Sequence, residues 1–220
     1  HLDWLSSHGI LCAYPKKSWV WPNIYFDGFF PGTRYVYLQF WDKLQGPLED
    51  YHLAPVLRAY KAGESITLAV SRLHEEPSNL VDPFEASLKN LHDREGDCTV
   101  LISDYVAEEV LKAKCFYTPN HPYLHLLVEM ARRLAEASGA CFSVDKALKW
   151  KYHLDKVQLP IFEWVQHKYG QPLVGPSLYK GLSVEDIRKY QVTLGVEKFY
   201  TPIQLVEQFY RIYDFALKAH

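Results

Sequence analysis

Between residues 98 and 139 two short β-rich runs alternate with two helical ones, and this order constrains the fold more than any other feature of the sequence. "CTVLISD" (98–104) is short, apolar and β-rich, which predicts a buried strand. Asp104 is a predicted cap for the helix "YVAEEVLKAK". "CFYT" (115–118) reads as a second short strand. A long helix is predicted from about Pro122 to Ala137. Leu124, Leu127, Val128, Ala131, Leu134 and Ala135 form its apolar stripe, and Gly139 stops it. Strand, helix, strand, helix in sequence predicts an α/β fold with a short, partly parallel sheet flanked by helices.

The flanking segments fill in this frame. Residues 19–40 are dense in aromatic and β-branched residues and broken by Pro22, Gly28, Pro31 and Gly32, so they read as extended segments around turns. "DYHLAPVLRAYKAG" places Leu53, Val56, Leu57 and Tyr60 on one helical stripe ending at Gly63. Ser65 is a predicted cap for "ITLAVSRLH". Asp82, Pro83 and Glu85 make a helix start with a cap, a proline at the first position and an acid three residues on. That helix carries Phe84, Leu88 and Leu91 and is expected to end near Gly96. Beyond residue 145 the expectation is helical: "PIFEWVQHKYGQP" stopped by Gly170, a loop "VGPSLYKG", a helix "SVEDIRKY" capped by Ser183, and a last helix opened by Thr201-Pro202. The division that follows is an α/β region over 1–144 and a helical C-terminal third, 145–220, packed on it.

Bulk properties exclude several classes. The 220 residues are 48% hydrophobic and 23% charged, with a formal net charge of −2, the balance of an ordinary globular chain. No run of Lys and Arg marks a nucleic-acid footprint; "YPKK" (14–17) and "ARR" (131–133) read as solvated faces. No apolar run is long enough to cross a membrane, and the first residues do not read as a signal peptide, so the cytoplasm is the expected compartment. The chain does not begin with Met, which leaves open a fragment or a processed product. Cys12, Cys98, Cys115 and Cys141 form no CxxC pair and sit beside apolar residues, so they read as buried reduced thiols.

"FYTPNHPYLHLL" (116–127) contains two histidines four apart, the spacing of a helical zinc pair. Pro122 argues against that use. The residue before a proline is pushed out of the α region, so His121 is expected outside the helix at its lip and His125 in its first turn. No metal is expected. Asn120 is a candidate cap, and a neutral His at a helix start is a candidate general base. The spacing by itself favours capping and packing over catalysis.

Other polar groups are less pointed. In "PNIYFDGFFP", Asn23, Tyr25 and Asp27 alternate and are expected to share one face, as pocket lining or beside a plain turn. "GPLEDYH" (46–52) and "DREGD" (93–97) add polar groups near element ends; either reads as a plain cap, and "DREGD" reads better as a solvated loop. No GxGxxG, P-loop or GxSxG is present, which disfavours a Rossmann dehydrogenase, a nucleotide-dependent kinase and an α/β-hydrolase.

Four segments in order, "WPNIYFDGFFP", "GPLEDYHLAPVLRAYKAG", "LHDREGDCTVLISDYV" and "CFYTPNHPYLHLLVEMARRLAEAS", resemble the WcbI-type polysaccharide-biosynthesis family of proposed acetyltransferases. The resemblance covers about residues 19 to 140. The Gly-Asn-Cys-Gln segment that opens the family is not found here. The resemblance implies a cradle-like α/β fold and a cytoplasmic enzyme that binds coenzyme A and moves an acetyl group from acetyl-CoA to a sugar hydroxyl. On the matching segments it implies catalytic roles for His121 and Asn120. Thr118, Arg94, Tyr25, Asp27, Gly28 and Tyr51 are then expected along the coenzyme A cleft. Two alternatives are carried: a carbohydrate esterase, and a non-catalytic protein that binds a glycan or an acyl carrier.

Overall fold

The computed structural model describes residues 18–38, 42–76, 81–151, 153–170, 178–188 and 191–217. Cys12 and "YPKK" lie outside them. Among the described residues the order is β1 (Thr33–Arg34), β2 (His52–Leu53), α1 (Ala54–Lys61), α2 (Ile66–Arg72), α3 (Pro83–Asp93), α4 (Ser103–Lys112), β3 (Phe116–Thr118), β4 (His121–Pro122), α5 (Leu124–Ser138), α6 (Val144–Ala147), α7 (Glu163–Tyr169), β5 (Tyr179–Arg188), β6 (Gln191–Tyr200) and α8 (Pro202–Ala216).

The strands form three two-stranded antiparallel pairs, β1–β2, β3–β4 and β5–β6. This corrects the expected partly parallel sheet. "CTVLISD" forms no strand because its backbone donors are satisfied otherwise. Thr99 and Val100 N–H both bond to the Val20 carbonyl, at 2.8 and 3.0 Å. Ile102 and Ser103 N–H bond to Oε1 of the buried Glu95 at 2.5 and 2.8 Å. A carboxylate thus takes the place a neighbouring strand would hold, and α4 starts one residue before the expected cap Asp104.

The C-terminal third is not all helical. Residues 183–188 of the expected helix "SVEDIRKY" belong to β5, whose partner β6 reads "QVTLGVEKFY". Val192, Leu194 and Val196 alternate with other residues along β6, a period of two that sets the local conformation over the cap signal of Ser183. The expected loop 174–181 lies outside the described residues up to 177, and Tyr179 to Gly181 are already strand.

Most helix boundaries follow their signals. Ser65 accepts from Leu68 N–H, Asp82 accepts from Phe84 and Glu85 N–H, and Thr201 and Gln204 form a reciprocal capping box. α3 ends at Asp93, short of Gly96. Gly139 and Gly170 close α5 and α7 in left-handed conformations, with φ of 74° and 60°, where a side chain would be strained. Among the cysteines, Cys115 is buried, Cys98 is partly covered and Cys141 is exposed, so burial holds fully for one.

One apolar core runs from Ile24 to Ala216. At its centre Phe26 meets Phe29 and Phe84 edge-on, with centroids 5.1 Å apart, and stacks on Phe116 at 5.6 Å. Offset and edge-on ring contacts add roughly 0.5–1.5 kcal/mol each beyond burial. Phe26 N–H also bonds to the Pro119 carbonyl at 2.8 Å. The aromatic segment thereby fixes the β3–β4 hairpin, whose two-residue turn is Pro119-Asn120.

Candidate active site

His121 lies in β4, and α5 begins at Leu124, so Pro122 does separate the two histidines. The N-cap of α5 is Tyr123, and Asn120 does not cap the helix. It sits in the hairpin turn, three residues earlier than the cap. His125 belongs to the first turn, with Nε2 3.3 Å from Glu109 Oε2.

A cavity of about 250 Å³ opens beside this turn, lined by Tyr35, Lys43, Gln45, Glu49, Asp50, Tyr51, Asn120 and His121. Its second wall is built by the chain from 35 to 51. Tyr37 and Lys43 face each other as an antiparallel bridge, and Leu44 N–H bonds to the Val36 carbonyl at 2.8 Å. This brings the Lys43 ammonium over the Tyr35 ring, 3.9 Å from its centroid. Asp50 organises the wall: its Oδ2 lies 2.6 Å from Lys43 Nζ, and its Oδ1 accepts from the Gln45 amide. Burial pushes Asp50 up, but the hydrogen bonds from Lys43 and Gln45 outweigh it and hold the carboxyl below its usual range. The bond to Asp50 in turn raises Lys43. Both side chains are about one-third exposed, so the pair sets geometry more than stability.

The hairpin wall is tied to this one. Asn120 Oδ1 accepts from the Tyr51 hydroxyl and, at 3.1 Å, from Thr118 Oγ1. With its oxygen so engaged, the Asn120 amide N–H groups are the part available to a bound group. Burial raises the Tyr51 phenol, as does its bond with Tyr35, and Tyr51 stays a neutral donor. His121 Nδ1 is buried and has no hydrogen-bond partner. Burial lowers the His121 pKa, and the Glu49 charge opposes that in part. The imidazole is therefore neutral at pH 7 and able to take a proton.

Of the residues named from sequence, Tyr51, Asn120 and His121 share the cavity wall, and Thr118, fully buried, stands behind Asn120. Tyr25, Asp27, Gly28 and Arg94 lie outside its lining. Arg94 is exposed; it donates to the Tyr25 carbonyl at 3.1 Å and lies 5.5 Å from the centre of the Tyr25 ring, in place of an ion pair with Glu95 or Asp97. Burial first, and Asp27 second, push the Tyr25 phenol up to about 12. The alternation of 22–27 does appear: Pro22, Ile24 and Phe26 are buried while Asn23, Tyr25 and Asp27 face outward or partly outward. Asp27 N–H bonds to Ser87 Oγ at 2.9 Å. At Gly28 a Cβ would meet the Phe26 ring at 2.4 Å, so this glycine is required by packing. Sequence reasoning missed Tyr35, Lys43 and Gln45; no motif marks them, and the antiparallel bridge of Tyr37 with Lys43 brings them together.

Among the described residues no group of three or more His, Cys, Asp or Glu could hold a metal ion, and no helix is long and apolar enough to cross a membrane.

The fold and the cavity define a mixed α and β protein of small antiparallel pairs, with a polar, aromatic-walled site at a hairpin turn. The sequence profile of the polysaccharide biosynthesis enzyme WcbI matches residues 2–142, more than half of the chain and the whole cavity wall, and the chain belongs to that family. A solved structure of WcbI, described as a novel polysaccharide biosynthesis enzyme in its native form without a disulfide bond between coenzyme A and a cysteine, superposes with a TM-score of 0.57 at 20% identity. The match covers 88% of this chain and 64% of that one, and at this identity it carries the fold. No curated protein matches.

Proposed function

We propose that the chain is an acyltransferase that binds coenzyme A at this cavity and passes an acetyl group to a sugar hydroxyl. The family supports a role in polysaccharide biosynthesis, and the related structure supports coenzyme A as the carrier. The observation that carries the chemistry is His121: a neutral, half-buried imidazole on the wall of a polar cavity, beside hydrogen-bond donors from Asn120 and Lys43.

The fit with coenzyme A is partial in size and good in chemistry. About 250 Å³ lies just below the roughly 300–1,000 Å³ of ordinary ligand pockets, so the cavity takes the reacting end of the carrier and not the whole molecule. When bound, acetyl-CoA supplies an activated thioester carbonyl. His121 takes the proton of the sugar hydroxyl as its oxygen bonds to the acetyl carbon, and returns that proton to the sulfur as the carbon–sulfur bond breaks. Asn120 and Lys43 donate to the carbonyl oxygen as it gains charge. Tyr35 and Tyr51 offer an aromatic wall for an apolar sugar face.

The test has two arms. Thermal-shift titration with coenzyme A raises Tm if the folded protein binds it; no shift at millimolar ligand removes the carrier. His121→Ala keeps the fold and coenzyme A binding and loses transfer by roughly 100- to 10,000-fold; an active variant removes His121 as the base. Acetate release that is indifferent to sugar identifies the esterase reading instead.

A further inference from the structure

We propose that Glu49 is the electrostatic partner of His121, a positioning residue whose carboxylate is held at the cavity wall by a left-handed backbone and by Lys156. This rests on the reading of His121 as the base.

Glu49 is the one non-glycine with positive φ, 55°, among the described residues. That conformation is disfavoured for an L-residue relative to the ordinary α region, and glycine would adopt it freely. A glutamate there is a strained choice, and Glu49 lines the same cavity as His121. Strain of this kind persists where the surroundings over-determine it, and they do. Gly46 and Glu49 exchange two backbone hydrogen bonds, both 2.9 Å, closing a tight turn over Pro47 and Leu48. The Pro47 carbonyl accepts from Leu182 N–H of β5 at 2.7 Å. Gly181 lets β5 approach this closely, since a Cβ there would stand 2.3 Å from the same carbonyl oxygen. Lys156 Nζ then grips Glu49 Oε1 at 2.7 Å. Lys156 and β5 lie beyond the family-matched stretch, so a later part of the chain fixes a wall of the site.

The other charged and titratable groups facing His121 do not compete for this role. Lys43 and Asp50 pair with each other at 2.6 Å, and the charge felt at the imidazole is that of Glu49, although Lys156 pairs with it at 2.7 Å. Burial raises the Tyr51 phenol, which stays neutral. Glu49 is the charge that acts on the imidazole, in the direction that favours the proton.

The experiment is an NMR titration of the His121 imidazole in the wild type, Glu49→Gln, Lys156→Met and the double variant, with the resonance assigned by its loss in His121→Asn. Glu49→Gln is expected to move the His121 midpoint to lower pH. Lys156→Met, which frees the Glu49 charge, is expected to move it to higher pH. The double variant is expected to match Glu49→Gln, because Lys156 acts through Glu49. A generally loosened structure would not give opposite shifts from the two single variants. An unchanged midpoint in Glu49→Gln, or shifts of the same sign in both, overturns the proposal. The readout needs neither coenzyme A binding nor acetyl transfer, so a failure of the functional reading shows separately.

Discussion

The Tyr51 hydroxyl donates to the side-chain oxygen of Asn120, joining the two walls of the cavity across 69 positions of sequence. Thr118 takes the second lone pair of the same oxygen, which aims the amide nitrogen at whatever the cavity holds. Tyr51→Phe keeps the packing and removes the donor. It is expected to weaken coenzyme A binding by about 5- to 10-fold, the worth of one ordinary hydrogen bond, with little change in Tm. Asn120→Ala is expected to cost more, because it removes the donor itself. Ligand titration of both variants checks the order.

His52 gives the protein an acid-sensitive joint. It is fully buried, with Nε2 2.9 Å from the Leu44 carbonyl and Nδ1 2.9 Å from the Tyr213 hydroxyl. A carbonyl can only accept, so Nε2 carries the proton and Tyr213 donates to Nδ1. Burial pushes His52 down from 6.5 to about 4, against the opposing pull of the Leu44 carbonyl. The unfolded chain therefore binds this proton first. Stability is fully present above pH 6.5 and is lost as pH falls towards 4, by roughly 3 kcal/mol. His52→Gln is expected to be less stable at pH 7, with the gap to wild type narrowing through this window. Denaturant melts at several pH values measure it.

Glu95 is the second buried polar group with a large expected effect. Its carboxylate, 4% exposed, holds two backbone N–H groups and the Ser103 hydroxyl at the start of α4. Glu95→Gln keeps the shape and loses the charge, and is expected to cost about 1–3 kcal/mol. Glu95→Ala also strands the two backbone donors and is expected to cost more. Chemical denaturation separates the two.

At position 49 two variants isolate the backbone term. Glu49→Ala and Glu49→Gly both lose the carboxylate and the Lys156 ion pair, but only alanine keeps a Cβ at φ 55°. The glycine variant is expected to be the more stable by roughly 1 kcal/mol. Equal melting points would remove the strain argument.

The parts of the fold legible in the sequence are those with local causes. Asp82-Pro83 and Thr201-Pro202 start helices, Gly139 and Gly170 end them, and Pro122 keeps His121 out of α5; each acts within four or five residues of itself. The strand expected at "CTVLISD" failed because the Val20 carbonyl, about 80 positions earlier, and the Glu95 side chain just before it answered its donors. The helix expected at "SVEDIRKY" failed because its pairing partner, β6, lies beyond the window in which a cap signal is read.

The same division runs through the site. From sequence alone His121, Asn120 and Tyr51 could be picked out, since the segments around them carry the family resemblance and Pro122 fixes where His121 stands. Tyr35, Lys43 and Gln45 could not, because they lie outside those segments and no motif marks them as lining a cavity. Hydrogen bonds among Val36, Leu44, Gly46 and Pro47, together with β5 packed against Pro47, place them there. Capping, proline and glycine effects are properties of neighbouring residues, so the chain states them directly. The cavity, its charge balance and the left-handed Glu49 come from contacts between distant segments, and only the tertiary structure decides those.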